Sequence, residues 1–143
     1  MTALTTYLIN STDGDTVCEI VGGEIRTTRV LIRLHDRRIR TGPNFDLVAD
    51  IDLTNKSEQE ACWTYRSNGK PKICIMAPAC WSFGGRSRLN RVINPGTRKA
   101  NCDNVDKPLA QFAAQADHAQ LLDNLGFVNE QPVRSSVYET KPC

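Results

Sequence analysis

Four groups of residues in this sequence carry side chains or backbone suited to chemistry. Cys80 follows the apolar run Lys72 to Ala77 and the turn residue Pro78, and it precedes an aromatic, a Gly-Gly pair and the basic residues Arg86 and Arg88. A thiol beside arginines has a lowered pKa and a larger thiolate fraction, as a nucleophile requires. The alternative at this position is a bystander thiol in a turn. Glu130 follows a second apolar run and precedes Gln131-Pro132. A carboxyl group across a cleft from a thiolate supplies an acid or a hydrogen-bonding group. The alternative is a surface acid before a proline. Gly22-Gly23 follows a third apolar run and allows close approach of a ligand backbone or a phosphate. No Gly-x-Gly-x-x-Gly accompanies it, so a simple tight turn accounts for it equally well. Asp52 ends an alternating run, where an acid suits a ribose diol or plain solvation.

These residues need elements to position them. Thr16 to Val21 is β-rich and reads as a strand. Glu24 to Leu34 has apolar residues at helical spacing with arginines between, although its β-branched Thr27, Thr28 and Val30 weaken a helix. Phe45 to Leu53 alternates and reads as a strand. Ser57 with Glu60 forms a capping-box pattern that opens a helix through Ala61, Cys62 and Tyr65, closed at Asn68-Gly69. Lys72 to Ala77 reads as a strand buried on both faces. Residues 79 to 104 form a long Gly-, Arg- and Asn-rich connection. Asp106 to Leu122 reads as a helix, with Leu109, Phe112, Ala113, Ala116 and Gln120 on one face and Pro108 in its first turn. The last strand begins at Gly126. Alternation of this kind predicts one α/β domain over residues 1–143, a Rossmann-like three-layer sandwich with a mainly parallel sheet. The strands ending at Val21, Ile51, Ala77 and Val128 then share a sheet with right-handed crossovers. Ligands of such sheets sit beyond the carboxyl ends of the strands, where Gly22-Gly23, Asp50 and Asp52, Pro78-Ala79-Cys80 and Glu130 all fall.

Composition bounds the function classes. With 40% hydrophobic and 24% charged residues in 143, the chain buries a core without a metal or disulfide staple. No apolar run reaches a membrane span, and residues 1–10 lack the pattern of a signal peptide, so an intracellular protein, nuclear or cytoplasmic, with no membrane partner is expected. The six cysteines are expected to be reduced, because their spacing is irregular and Cys18 and Cys74 lie in apolar strands. No Cys-x-x-Cys pair exists and His35 and His118 are isolated, so no zinc site is expected. The net charge is only +2, yet 11 of the 18 Lys and Arg fall within Arg26–Arg40 and Arg86–Lys99. A local basic face binds phosphate even on a near-neutral protein, so Arg86, Arg88 and Arg91 are the expected nucleic-acid contacts. Solvated surface charge is the alternative.

Three motifs resemble those of cytosine-5 DNA methyltransferases. IMAPACWSFGG resembles their Pro-Cys motif, GFVNEQP their Glu-Asn-Val motif, and VCEIVGG a worn form of their glycine-containing S-adenosylmethionine motif. Order and separation agree from Val17 to Val133. The chain also resembles the truncated methyltransferase-like segments of some retrotransposon polyproteins, with Glu130-Gln131-Pro132 and Ser135-Ser136 in their form. The resemblance implies Cys80 as the nucleophile on carbon 6 of cytosine and Glu130 as the acid holding the ring. It implies that Gly22, Gly23 and Asp52 lie near S-adenosylmethionine, and that Pro78 shapes the loop. The target base has to leave its stack to reach such a cleft. Ala79, Trp81 and Gln131 depart from the family pattern, and its later motifs are absent after Glu130. A partner chain that completes the site, or a non-catalytic structural or interaction module of a mobile element, is then expected. A second resemblance, of NCDNVDK followed by FVNEQPV, is to small Holliday-junction resolvases. It implies Asp103 and Glu130 as magnesium ligands and Lys107 as a phosphate contact, although Asn101 stands where those enzymes have their first acid.

Overall fold

The computed structural model describes residues 17–24, 26–33, 40–78, 83, 92–131 and 135. Its strands are β1 (Val17–Ile20), β2 (Thr41–Phe45), β3 (Ile73–Met76) and β4 (Gly126–Asn129), and its helices are α1 (Arg26–Arg33), α2 (Lys56–Gly69), α3 (Pro95–Asn101) and α4 (Lys107–Leu122). The four strands form one all-parallel sheet in the order β2-β1-β3-β4. This is a small Rossmann-like α/β fold, as the strand–helix alternation predicts. The chain moves outward from β1 to β2, then crosses back over β1 to β3. The topological switch point therefore lies between β1 and β3, where open parallel sheets bind ligands.

Helices cover both faces. On one face α2 and α4 pack over Cys18, Ile20, Cys74 and Met76. Trp63 of α2 meets Phe112 of α4 edge to face at 5.3 Å between ring centroids, and Tyr65 packs on Phe45 at 5.1 Å. Each fully buried side chain of this size stabilises the fold by roughly 1.5–3 kcal/mol. The other face belongs to α1, which is tied to β1 through Glu19. All four residues of β1 are buried, as a central parallel strand requires, whereas β4 at the edge is largely exposed.

Three boundaries differ from the sequence reading, each for a local reason. The second strand is Thr41–Phe45, not Phe45–Leu53. Pro43 is tolerated because β2 is an edge strand. Asp46 then ends the strand by accepting the Val48 N–H, which opens a 3₁₀ turn over Leu47–Ala49. Helix α2 is capped by Asn55, whose side chain accepts from Ser57 N at 3.1 Å, and not by Ser57. The helix predicted from Asp106 begins earlier. A helical path runs from Pro95 to Leu122 with a π-helical turn at Cys102–Asp106. Pro108 explains the turn: it has no N–H, and its ring crowds the carbonyl four residues back, so the ladder widens to Lys107 N–Cys102 O just before it.

Candidate active site at the carboxyl rim of the sheet

The turn after β1 is held by three carboxyl and amide groups. Glu19, only 2% exposed, accepts from Thr27 N at 2.9 Å and Thr28 N at 3.1 Å, so it caps α1 from inside the sheet. Its other oxygen, Oε2, has no hydrogen-bond partner. Asp46 accepts from Gly23 N at 3.0 Å, and Asn44 Nδ2 donates to Gly23 O at 3.0 Å. These two bonds clip the Gly22-Gly23 turn to the end of β2. Gly23 has φ 68°, a conformation that costs an L-residue about 1–2 kcal/mol. Val21 itself has φ 54° and donates its N–H to Phe45 O at 2.8 Å. A β-branched residue in the left-handed region is strained, and strain of this kind concentrates at functional sites.

Beside this turn lies a cavity of about 330 Å³. Val21 and Gly23 contribute from the end of β1, Phe45 and Asp46 from β2, Ala77 from β3, and Leu109 from α4. This volume falls at the lower end of small-ligand sites, about 300–1,000 Å³. The cavity contains two of the residues that the methyltransferase resemblance implies, Gly23 and Asp52. Asp52 does not end a strand: it sits in the loop after the 3₁₀ turn and accepts from Thr54 Oγ1 at 2.7 Å and Thr54 N at 2.9 Å. Those bonds hold its carboxyl below the ordinary value. The strand-end acid is Asp46, which the sequence reading passed over as part of a longer strand. Gly22 is outside the lining, packed near Glu19.

The β3 and β4 ends run side by side. Glu130 N donates to Met76 O at 2.8 Å, continuing the ladder one residue past β4. Gln131 Nε2 donates to the Pro78 carbonyl at 3.0 Å, and Ser135 Oγ donates to Gln131 Oε1. Pro78 is buried and Glu130 is exposed. Glu130 and the Pro78 segment are thus on adjacent strands, and Ala77 links that segment to the cavity. Cys80, two residues past Pro78, lies outside the described residues, as do Arg86, Arg88 and Arg91. The described cysteines Cys18, Cys62, Cys74 and Cys102 are free thiols. Burial drives the Cys62 thiol far above its ordinary pKa, so it is inert.

Two of the three residues of the resolvase resemblance, Asp103 and Lys107, pair with each other, and Glu130 lies apart at the end of β4. Lys107 Nζ donates to Asp103 Oδ1 at 2.6 Å, which lowers the Asp103 pKa and raises that of Lys107. Among the described residues no group of three or more His, Cys, Asp or Glu is placed to hold a metal ion. No described helix is long and apolar enough to cross a membrane.

Glu19 was missed because it reads as the polar member of an alternating strand. Its signal was available: an acid inside a buried parallel strand, just ahead of a Gly-Gly turn and a helix. No family model matches the chain, and no curated protein or solved structure matches it.

Proposed function

We propose that this chain is a cytosine-5 methyltransferase-like domain that binds S-adenosylmethionine in the rim cavity and presents Cys80 and Glu130 to a nucleobase. One observation carries the reading. A single cavity spans the carboxyl ends of β1, β2 and β3, and at Ala77 it adjoins the segment leading to Cys80, with Glu130 on the neighbouring strand. Cofactor and nucleophile would then be neighbours across the β1/β3 switch point.

S-adenosylmethionine supplies an electrophilic methyl group when bound. Gly23 and the Asp46 carboxylate shape the end of the cavity near β1, Asp52 offers acceptor oxygens for hydroxyl groups, and Val21, Phe45 and Leu109 exclude water. Cys80 as thiolate would add to carbon 6 of the base while Glu130, as the protonated acid, gives the ring nitrogen a proton and then hydrogen-bonds the protonated ring. Carbon 5 takes the methyl group, and loss of the carbon 5 proton expels the Cys80 thiolate. Nucleic acid would be steered by Arg86, Arg88 and Arg91. The test has two arms: the change in melting temperature with S-adenosylmethionine, and covalent trapping on a 5-fluorocytosine oligonucleotide. A rise in Tm together with an adduct that is lost in Cys80→Ala supports the full reading. No rise in Tm refutes the cofactor site.

A second reading, a non-catalytic module of a mobile element, is favoured by Gln131. It stands where the family has asparagine, and its amide is spent on clipping β4 to β3 and Ser135. Cofactor binding without an adduct is the outcome expected of that form.

A further inference from the structure

We propose that Glu19 and Asp46 are built-in anions that make the first strand–helix turn reject phosphate, so that the rim cavity selects nucleosides over nucleotides. In many parallel α/β folds the N–H groups of this turn and the first turn of the following helix receive a ligand phosphate. Here three of them are already committed to carboxylates: Thr27 N and Thr28 N bind Glu19, and Gly23 N binds Asp46 Oδ2. The other oxygen of Asp46 is held by Val48 N of the turn after β2. A phosphate reaching this turn would have to displace a carboxylate from each donor.

Charge acts in the same direction. The cavity lining holds two carboxylates, Asp46 and Asp52, and no basic residue among the described residues. Glu19 stands behind the turn, 98% shielded from water, with Oε2 still unpartnered. Asp46 is half-buried and Asp52 exposed, so solvent and salt screen part of the repulsion on a phosphate, and among the described lining residues none is basic to offset it. The wall near α4 is apolar, as a base or a sugar edge requires. A neutral or cationic nucleoside therefore fits, and the same compound with a 5′-phosphate does not.

This inference rests on the reading of the cavity as a nucleoside-type cofactor site, and its test separates the two. The affinities of adenosine, 5′-AMP, ATP and S-adenosylmethionine are measured by titration calorimetry on the full chain at low salt. Adenosine is expected to bind at least about tenfold more tightly than 5′-AMP or ATP, and the ratio should shrink as salt screens the repulsion. Asp46→Asn and Glu19→Gln keep an acceptor oxygen and remove the charge, so each should lower the ratio toward one. The ratio is read within each folded variant, so a general loss of stability does not mimic the effect, and Asp46→Asn alone suffices where Glu19→Gln fails to fold. Equal binding of adenosine and ATP overturns the proposal, as does an unchanged ratio in Asp46→Asn or absence of adenosine binding. Adenosine binding without S-adenosylmethionine binding leaves the proposal standing and sinks the methyl-donor reading.

Discussion

The two ends of the sheet are built on opposite terms. At the amino end, Arg66, only 7% exposed, donates from Nε to Gln120 Oε1, and from Nη2 to Asp123 and the Ala119 carbonyl. Gln120, fully buried, donates onward to the carbonyls of Pro71 and Gly126. This network ties α2, α4, the entry to β3 and the start of β4 together with its donors satisfied. Gly126 belongs to it as well, because a side chain there would meet the Lys72 carbonyl at 3.3 Å. At the carboxyl end, Glu19 Oε2, Asn44 Oδ1, Asp117 Oδ1 and Asn129 Oδ1 are buried acceptors with no partner. The cavity opens there. Left-handed backbone occurs at both ends, at Val21 and Gly23 after β1 and at Lys70 and Asn124 after α2 and α4. A filled polar network specifies and stabilises a fold, whereas the unpaired acceptors set the carboxyl end apart, where the proposed ligand site lies.

Substitutions at the two ends should therefore fail differently. The largest contrast is expected at Cys80. Cys80→Ala should abolish the 5-fluorocytosine adduct while the melting temperature stays within a degree or so of the parent protein's. An adduct that persists would move the chemistry to another residue. Next is Arg66→Met, which leaves Gln120, Asp123 and a helix carbonyl without their donor. It should cost about 3 kcal/mol in chemical denaturation and leave the adenosine-to-ATP affinity ratio of the folded fraction unchanged. A change in that ratio would break the separation between the ends. Glu19→Ala should cost roughly 2 kcal/mol, because two helix N–H groups lose their cap and a buried space is left. Unlike Arg66→Met, it should also relax the discrimination against phosphate.

The smallest effect is expected at Asp117, half-buried beside Asn129, which donates to it at 2.8 Å. Desolvation raises the Asp117 pKa above the ordinary 3.8, and the Asn129 bond offsets this only in part. The folded state then holds the proton more tightly than the unfolded chain. This contribution to stability is complete below pH 3.8 and is lost as pH rises through the raised folded value. Asp117→Asn should flatten that decline, and denaturation midpoints measured across the acidic range would show it. A parallel pH profile in the variant would mean that another group carries the dependence.

The elements were legible to different degrees. The run Ile73 to Met76 announced a buried parallel strand because such strands need apolar residues on both faces. The helix over Leu109, Phe112, Ala113, Ala116 and Gln120 was equally clear, and Gln120 proved to be a core residue through its hydrogen bonds, not through hydrophobicity. The alternation in Phe45 to Leu53 misled, since acids at every second position suit a strand and a capped turn alike. There the Asp46 side chain competes for the backbone and wins over the ladder. The start of α3 at Pro95 was hidden because residues before Asp106 have little apolar periodicity.

By itself the sequence determined a mainly parallel α/β class, the alternation of its strands and helices apart from α3, and the positions of Gly23, Pro78 and Glu130 just past strand ends, because burial periodicity and turn residues are local properties. Only the tertiary structure decided that Asp46 replaces Asp52 as the strand-end acid, that Glu19 fills the helix terminus a phosphate would otherwise use, and that Glu130 lies on the strand next to Pro78. Those facts depend on which strands become neighbours and on where a side chain finds donors once the sheet has formed. A chain read one residue at a time carries the donors and acceptors, but their pairing exists only after the crossovers have brought β2, β1, β3 and β4 into register.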